Sequence, residues 1–148
     1  MAAMTDVTIR PITAHDFGAV YELGLRCYDV TAIPYNYWSI ENIAGYFETS
    51  LSFVAEENGK IVGFVLGIES FEGDEQTAYL EWLAVDAEHR RLGLGRRLTE
   101  TAVARVESLG KARVVIDIAA PNAASRALAE RLGFEEEVSV SYFAKRLG

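Results

Sequence analysis

The sequence has little cysteine, little proline and no long hydrophobic run. Its 148 residues include one cysteine, Cys27, so an intrachain disulfide is excluded, which is typical of a reducing compartment. The longest apolar stretch, Ile61 to Ile68, is far too short to cross a bilayer. The opening residues MAAMTDVTIR show no apolar leader. We therefore expect a cytoplasmic protein without a membrane partner.

Positive charge is scarce as well. There are 14 Lys and Arg against 22 Asp and Glu, a formal net charge of -8. Nucleic-acid binding needs a basic surface, so this balance argues against a nucleic-acid partner, whereas it suits a cationic acceptor such as an amine. With three prolines, no repeat and no low-complexity tract, residues 1–148 are expected to form a single domain.

Hydrophobic periodicity and turn signals predict the element order β-α-α-β-β-β-α-β-α-β. Asn58-Gly59 is a strong signal for a type I′ hairpin between the second and third strands. Among the predicted strands are Thr77–Val85, the nearly continuous apolar Ala112–Ala119 and a final alternating strand, Val138–Lys145. We expect an α/β (α+β) fold, a mixed sheet with helices on both faces.

A glycine-rich turn before the third long helix carries the clearest chemical signal. Gly93 and Gly95 allow backbone amides and a helix N-terminus to converge on an anion. Four arginines lie within positions 90–97: Arg90, Arg91, Arg96 and Arg97. A Walker A loop is excluded because Gly-Lys-Ser/Thr is missing, and a dinucleotide fingerprint would need glycine where Leu98 stands. Two interpretations of the turn remain. It binds a diphosphate such as that of coenzyme A, or it is a solvent-exposed, Arg-rich start of a helix.

Arg90-x-x-Gly93-x-Gly95, preceded by the strand residues Leu83-Ala84-Val85, resembles the acetyl-CoA motif of the GNAT superfamily of N-acetyltransferases. Asn122 and the later run Leu132-Gly133-Phe134 resemble its fourth-helix signature. The region before the second helix loosely resembles the N-terminal protein acetyltransferases. The resemblance implies a mostly antiparallel sheet of six to seven strands, flanked by about four helices and splayed between the fourth and fifth strands.

The resemblance also implies acetyl-CoA as cosubstrate, a primary amine of a small molecule or peptide as acceptor, direct attack of that amine, and no metal. Dimers are common in such folds, and the sequence leaves a homodimer open. The cofactor-binding residues implied by the resemblance are Leu83, Ala84, Val85, Arg90, Arg91, Leu92, Gly93, Leu94, Gly95, Arg96 and Asn122.

Two carboxylates are candidates for the general base. Glu81 lies within the apolar strand Thr77–Val85 and Asp117 within Ala112–Ala119, where an unpaired charge is costly. Either could have a raised pKa and accept a proton; the alternatives are an ion pair or exposure at a sheet edge. Asp117 matches an acidic position that some N-terminal acetyltransferases of the family use as base, and Glu81 matches an acidic position common on the fourth strand. We favour Glu81.

One position departs from the family pattern. Many members carry a tyrosine in the fourth helix as general acid to the CoA thiolate, and Ala129 stands there. Ser125, Tyr142 or water could replace it. The missing tyrosine also motivates a second hypothesis, a non-catalytic acyl-CoA-binding sensor. The acceptor site implied by the resemblance is aromatic, and its candidate residues are Tyr28, Tyr35, Tyr37, Trp38, Tyr46, Phe47, Tyr142 and Phe143.

Overall fold

The computed structural model describes residues 6–28 and 37–148. Within them lie five strands, β1 (Val7–Pro11), β2 (Phe53–Glu57), β3 (Lys60–Ile68), β4 (Thr77–Val85) and β5 (Arg113–Ile116). The same part of the chain contains four α-helices, α1 (Phe17–Cys27), α2 (Ile40–Ile43), α3 (Leu94–Ser108) and α4 (Ala123–Arg131). Short 3-10 helices occupy Ala14–Asp16, Ala44–Glu48 and Ala87–His89.

The strands form one sheet in the order β1-β2-β3-β4-β5, antiparallel except for the parallel β4–β5 pair. The β2–β3 hairpin turns at Asn58 and Gly59, whose φ values of 50° and 79° are those of a type I′ turn. The mixed α/β fold class is confirmed. The sheet has five strands rather than the expected six to seven.

Helices cover both faces of the sheet, as predicted. On one face, Val20 and Leu23 of α1 pack with Ile43, Trp38 and Phe64. On the other face, α3 contributes the buried side chains of Leu94, Leu98 and Ala102. These two apolar layers hold β3 and β4 rigidly, so the segments that follow β4 start from a fixed frame. No helix of residues 6–28 or 37–148 is long and apolar enough to cross a membrane.

The predicted final strand, Val138–Lys145, is wrong. Residues 134–148 have no regular secondary structure, and Phe143 is 97% exposed. Two ion pairs, Glu137 with Arg113 and Glu136 with Arg126, join the start of this segment to β5 and α4. These ion pairs hold only the start of the segment, and the alternating apolar residues Val138, Val140 and Tyr142 are 75%, 69% and 71% exposed rather than packed on a sheet face.

The predicted strand Ala112–Ala119 is shorter than expected. β5 ends at Ile116, so Asp117 lies just beyond the strand and is exposed. β5 is only four residues long, and its last pair with β4 is Leu80 with Ile116.

Candidate active site

β4 presents an open backbone edge over its second half. Its antiparallel pairing with β3 extends to Val85, whereas its parallel pairing with β5 ends at Leu80. Among the described residues, β4 therefore has no strand partner on this side from residue 81 onward. An open strand edge can receive an extended ligand as if it were another strand.

Leu83, Ala84 and Val85, the predicted pantetheine residues, all lie on this open stretch. Some of their carbonyls already have protein partners. The buried Tyr28 hydroxyl donates to the Leu83 carbonyl at 2.7 Å, and burial raises the pKa of this tyrosine. The Arg90 Nε donates to the Val85 carbonyl at 3.1 Å, and the Cys27 thiol approaches the same oxygen at 3.6 Å. These contacts fix the backbone of the stretch before any ligand arrives.

Glu81 occupies a β-bulge. Leu66 of β3 faces Trp82 and Gly67 faces Leu80, so Glu81 is the extra residue on β4. Such a bulge re-aims side chains. Glu81 and Trp82 consequently both meet the layer of α1 and α2: Glu81 accepts a hydrogen bond from the Tyr46 hydroxyl, while the Trp82 ring lies 5.1 Å from that of Trp38. The bulge thus turns a carboxylate into the aromatic layer.

The electrostatic environment of Glu81 suits a proton acceptor. Burial raises its pKa, and the nearby charge of Asp117 raises it further. The indole N–H of Trp82 lowers the pKa of Glu81, but by less. That indole nitrogen is buried and has no well-aligned hydrogen-bond partner among the described residues. A carboxyl group whose pKa is raised is a stronger base once it is ionised.

Asp117 belongs to the same charge cluster but lies in a different setting. Its Oδ1 accepts a hydrogen bond from the Tyr79 hydroxyl at 2.6 Å. Burial and this hydrogen bond raise the pKa of Tyr79, so the phenol stays protonated and continues to donate. Of the two candidate bases, Glu81 is the partly buried one and Asp117 the exposed one.

The glycine-rich turn has the geometry of an anion site. Gly93 has φ 77° and Arg91, unusually for a non-glycine residue, has φ 66°. Within residues 6–28 and 37–148, the amides of Gly93, Leu94, Gly95 and Arg96 donate to no acceptor of the chain. Successive unpaired amides at the start of a 15-residue helix favour a diphosphate. This arrangement fits the predicted cofactor.

The four arginines do not act as one patch. Arg97 donates to the Val7 carbonyl at 3.4 Å, toward β1, and Arg96 pairs with Glu100 at 3.4 Å. Arg90 donates from its Nε to the Val85 carbonyl and so links the start of the loop to the end of β4. Arg91 makes no ion pair with the described residues, so its charge is available at the turn.

Gly95 is the point where three parts of the site meet. A Cβ at this position would lie 3.5 Å from Leu128 of α4 and 3.9 Å from both Leu83 and Val85 of β4. The predicted residue Asn122 caps α4: its Oδ1 accepts from the Ser125 amide at 3.2 Å. Ser125 lies one turn before the buried Ala129 on this helix. The structure therefore places α4 against the turn and the open strand.

The predicted aromatic acceptor residues divide into two groups. Tyr28, Trp38, Tyr46 and Phe47 pack in or against the core layer of α1 and α2. Tyr37, Tyr142 and Phe143 are 60%, 71% and 97% exposed, and Tyr35 lies outside the described residues. In the described part of the chain, no three His, Cys, Asp or Glu side chains converge as metal ligands.

Comparison with known proteins shows the family of the chain. The acetyltransferase (GNAT) family profile matches residues 17–134. The chain belongs to this family. Its members are acetyl-CoA-dependent acyltransferases, so acetyl-CoA is the cosubstrate and the hypothesis of a non-catalytic sensor is not favoured.

Individual relatives cover most of the chain. It is 35% identical over 130 residues to the ribosomal protein bS18-alanine N-acetyltransferase of Escherichia coli strain K12, covering 87% of this chain and 81% of that protein. It is 33% identical over 145 residues to the catalytic subunit of the N-terminal acetyltransferase A complex of Arabidopsis thaliana, covering 93% and 72%. The crystal structure of the Escherichia coli enzyme superposes with a TM-score of 0.75, covering 89% of this chain and 79% of that structure.

Three features of the GNAT site were missed by sequence reasoning: the bulge, the Tyr46–Glu81 hydrogen bond and the Tyr79–Asp117 hydrogen bond. One signal for the bulge was present. Gly67 interrupts the apolar strand β3, and a Cβ there would lie 2.6 Å from the Leu80 side chain and 3.0 Å from the Tyr79 carbonyl. A glycine inside a strand often marks a bulge or a close approach.

Proposed function

We propose that the protein transfers the acetyl group of acetyl-CoA to the α-amino group at the N-terminus of a peptide or protein, with Glu81 as general base. The observation that carries this proposal is the bulge that places the Glu81 carboxylate, with its raised pKa, beside the open edge of β4. The acceptor class is supported by the two relatives at 35% and 33% identity, whose names specify alanine and N-terminal acetylation.

The cosubstrate would be held by backbone groups. The unpaired amides of Gly93 to Arg96 would bind the diphosphate, assisted by Arg91. The open stretch Leu83–Val85 would pair with the pantetheine arm. The Asn122 side-chain oxygen accepts from the Ser125 amide, whereas its NH2 group would be available to the same arm. Acetyl-CoA supplies the activated acetyl group in this arrangement.

The acceptor must lose a proton before its nitrogen can attack. An α-ammonium group has a pKa of about 7.7–8.0, against about 10.4 for a lysine side chain, so an α-amine is the easier group to deprotonate near neutral pH. Glu81 accepts this proton, directly or through water, and Tyr46 holds the carboxylate in place. Asp117 acts through its charge, since it raises the pKa of Glu81.

The departing thiolate needs a proton or a hydrogen-bond donor. Ala129 offers neither, and it is buried. Ser125 is the hydroxyl one turn earlier on α4, and we propose that it, or a water molecule beside it, donates to the sulfur. Tyr142 is a weaker candidate because residues 134–148 form no strand that would orient it.

A peptide panel tests the acceptor class. Short peptides that differ in their first residue, including alanine, are incubated with acetyl-CoA, and the acetylated atom is located by mass spectrometry. Each peptide is matched by an N-terminally blocked copy that keeps an internal lysine. We expect acetylation only of the free N-terminus. Faster turnover of a small amine, such as an aminoglycoside or a polyamine, than of every peptide would contradict the proposal.

A further inference from the structure

Three ionisable side chains that the proposed reaction does not use lie together just before the glycine-rich turn. His89 Nε2 is 3.0 Å from Glu57 Oε1, and His89 Nδ1 is 3.7 Å from Asp86 Oδ2. The three side chains are only 13%, 19% and 15% exposed, respectively. Glu57 ends β2, whereas Asp86 and His89 follow β4, so the contact joins two separate parts of the sheet.

The hydrogen bond between His89 and Glu57 has a defined direction. A carboxylate only accepts, so Nε2 carries the proton. The other polar atom of each partner, Glu57 Oε2 and His89 Nδ1, is buried and lacks a hydrogen-bond partner among the described residues. Buried polar atoms without partners are costly, and two apolar residues would fill this place without that cost. The pair is therefore a weak source of stability, and its clearest consequence is the position of the chain around it.

The backbone around the pair shows what the contact holds. The Asp86 amide donates to the Val62 carbonyl at 2.9 Å, and the His89 amide donates to the Asp86 carbonyl at 2.8 Å. The turn 86–89 is thus fixed to the β2–β3 hairpin by its backbone at one end and by the His89 side chain at the other. The glycine-rich turn begins at residue 90, directly after this fixed segment.

The turn that follows has few contacts of its own. Its far end is fixed where Leu94 and Leu98 of α3 are buried against the sheet. At its near end, the Arg90 Nε bond to the Val85 carbonyl and the His89 contact hold the chain. Arg91 is in the left-handed region, which is costly for a non-glycine residue and persists only where flanking contacts such as that of His89 hold the backbone.

We propose that Glu57 and His89 are a positioning pair for the cosubstrate: they hold the turn so that the amides of Gly93 to Arg96 converge on the diphosphate of acetyl-CoA. This inference rests on the proposed function, in which those amides bind the diphosphate. Neither side chain touches the reacting atoms. Their effect is on diphosphate recognition alone.

The test compares two acetyl donors, acetyl-CoA and acetyl-pantetheine, which lacks the diphosphate and adenosine. In Glu57→Ala, we expect kcat/KM for acetyl-CoA to fall about tenfold through KM, because misplaced binding groups lose effective positioning. For acetyl-pantetheine it should stay unchanged. Glu57→Gln keeps an acceptor for Nε2 and should retain near wild-type values. The matched control is Glu56→Ala on the same strand, whose carboxylate instead pairs with Arg10 at 3.1 Å.

The results distinguish a role in diphosphate binding from a general structural role. An equal fall for both donors, or a fall seen also in Glu56→Ala, would mean a general structural role and overturn the inference. An unchanged KM for acetyl-CoA in Glu57→Ala would overturn it as well. If kcat/KM of the wild type is equal for acetyl-pantetheine and acetyl-CoA, the diphosphate makes no contribution to binding, and both the diphosphate site and the positioning role are wrong.

Discussion

The Tyr46 hydroxyl donates a hydrogen bond to the Glu81 carboxylate, joining residues that are 35 positions apart in the chain. Tyr46 belongs to the 3-10 helix after α2, and Glu81 is the bulged residue of β4. Through this bond the helical layer fixes the orientation of the proposed base.

Removing the carboxylate should abolish most of the activity. Glu81→Gln keeps the size of the side chain but cannot accept the acceptor's proton, so we expect kcat/KM to fall by about 100- to 10,000-fold. Steady-state rates of CoA release over a range of pH would measure this. Unchanged acetyl-CoA binding, followed by a thermal shift, shows that the variant is folded. Full activity of Glu81→Gln at every pH would rule out Glu81 as the base.

Removing the Tyr46 hydroxyl should shift the pH dependence. A hydrogen bond donated to a carboxylate stabilises its charged form, so Tyr46→Phe should raise the pKa of Glu81. Since only ionised Glu81 accepts a proton, the acidic limb of the kcat/KM profile should move to higher pH. Tyr21→Phe is a suitable control, because Tyr21 packs against the same core layer but its hydroxyl makes no hydrogen bond with the described residues. A limb that stays in place in Tyr46→Phe would show that this hydrogen bond does not tune the base.

Gly24 of α1 is required for packing against Trp38. A Cβ at position 24 would lie 2.0 Å from the Trp38 ring, whose Nε1 donates to the Tyr21 carbonyl at 2.9 Å. Gly24→Ala should therefore destabilise the fold by about 1–3 kcal/mol, as overpacking does. Gly18→Ala is the matched control on the same helix, since its Cβ would meet nothing within 4 Å. Denaturant melts measure both; equal stability of the two variants would contradict this packing account.

Asp16 should make the fold sensitive to acid. Its carboxylate accepts two bonds of 2.8 Å from Arg10 and one of 2.8 Å from the Thr13 amide. The Arg10 hydrogen bond is the main reason why the pKa of Asp16 is lowered. A lowered folded-state pKa contributes stability above the ordinary aspartate value and loses it as pH falls below about 4. Asp16→Asn should cost about 2 kcal/mol at pH 7 and flatten the acid dependence of unfolding.

Local signals in the sequence predicted local structure well. Asn58 and Gly59 form the predicted hairpin turn with φ values of 50° and 79°, and α3 begins at Leu94, directly after the predicted glycine-rich turn. Each of these depends on neighbours within a few residues, which a sequence displays directly. The glycine-rich turn was predicted for the same reason.

Features that depend on long-range register could not be predicted in the same way. The bulge at Glu81 arises from how β3 aligns with β4, and the exposure of Asp117 arises from where β5 stops pairing. The alternation in residues 138–145 predicted a strand, but alternation cannot show whether a partner strand is available. The contact between Glu57 and His89 likewise joins residues 32 positions apart.

The pH profile of Asp117→Asn tests the assignment of Glu81 as base most directly. Asp117 raises the pKa of Glu81 by its charge, so its neutralisation should lower that pKa. We predict that Asp117→Asn keeps its activity on an N-terminal amine while the acidic limb of kcat/KM moves to lower pH. Loss of activity across the whole pH range in Asp117→Asn, with Glu81→Gln still active, would contradict the account and make Asp117 the base.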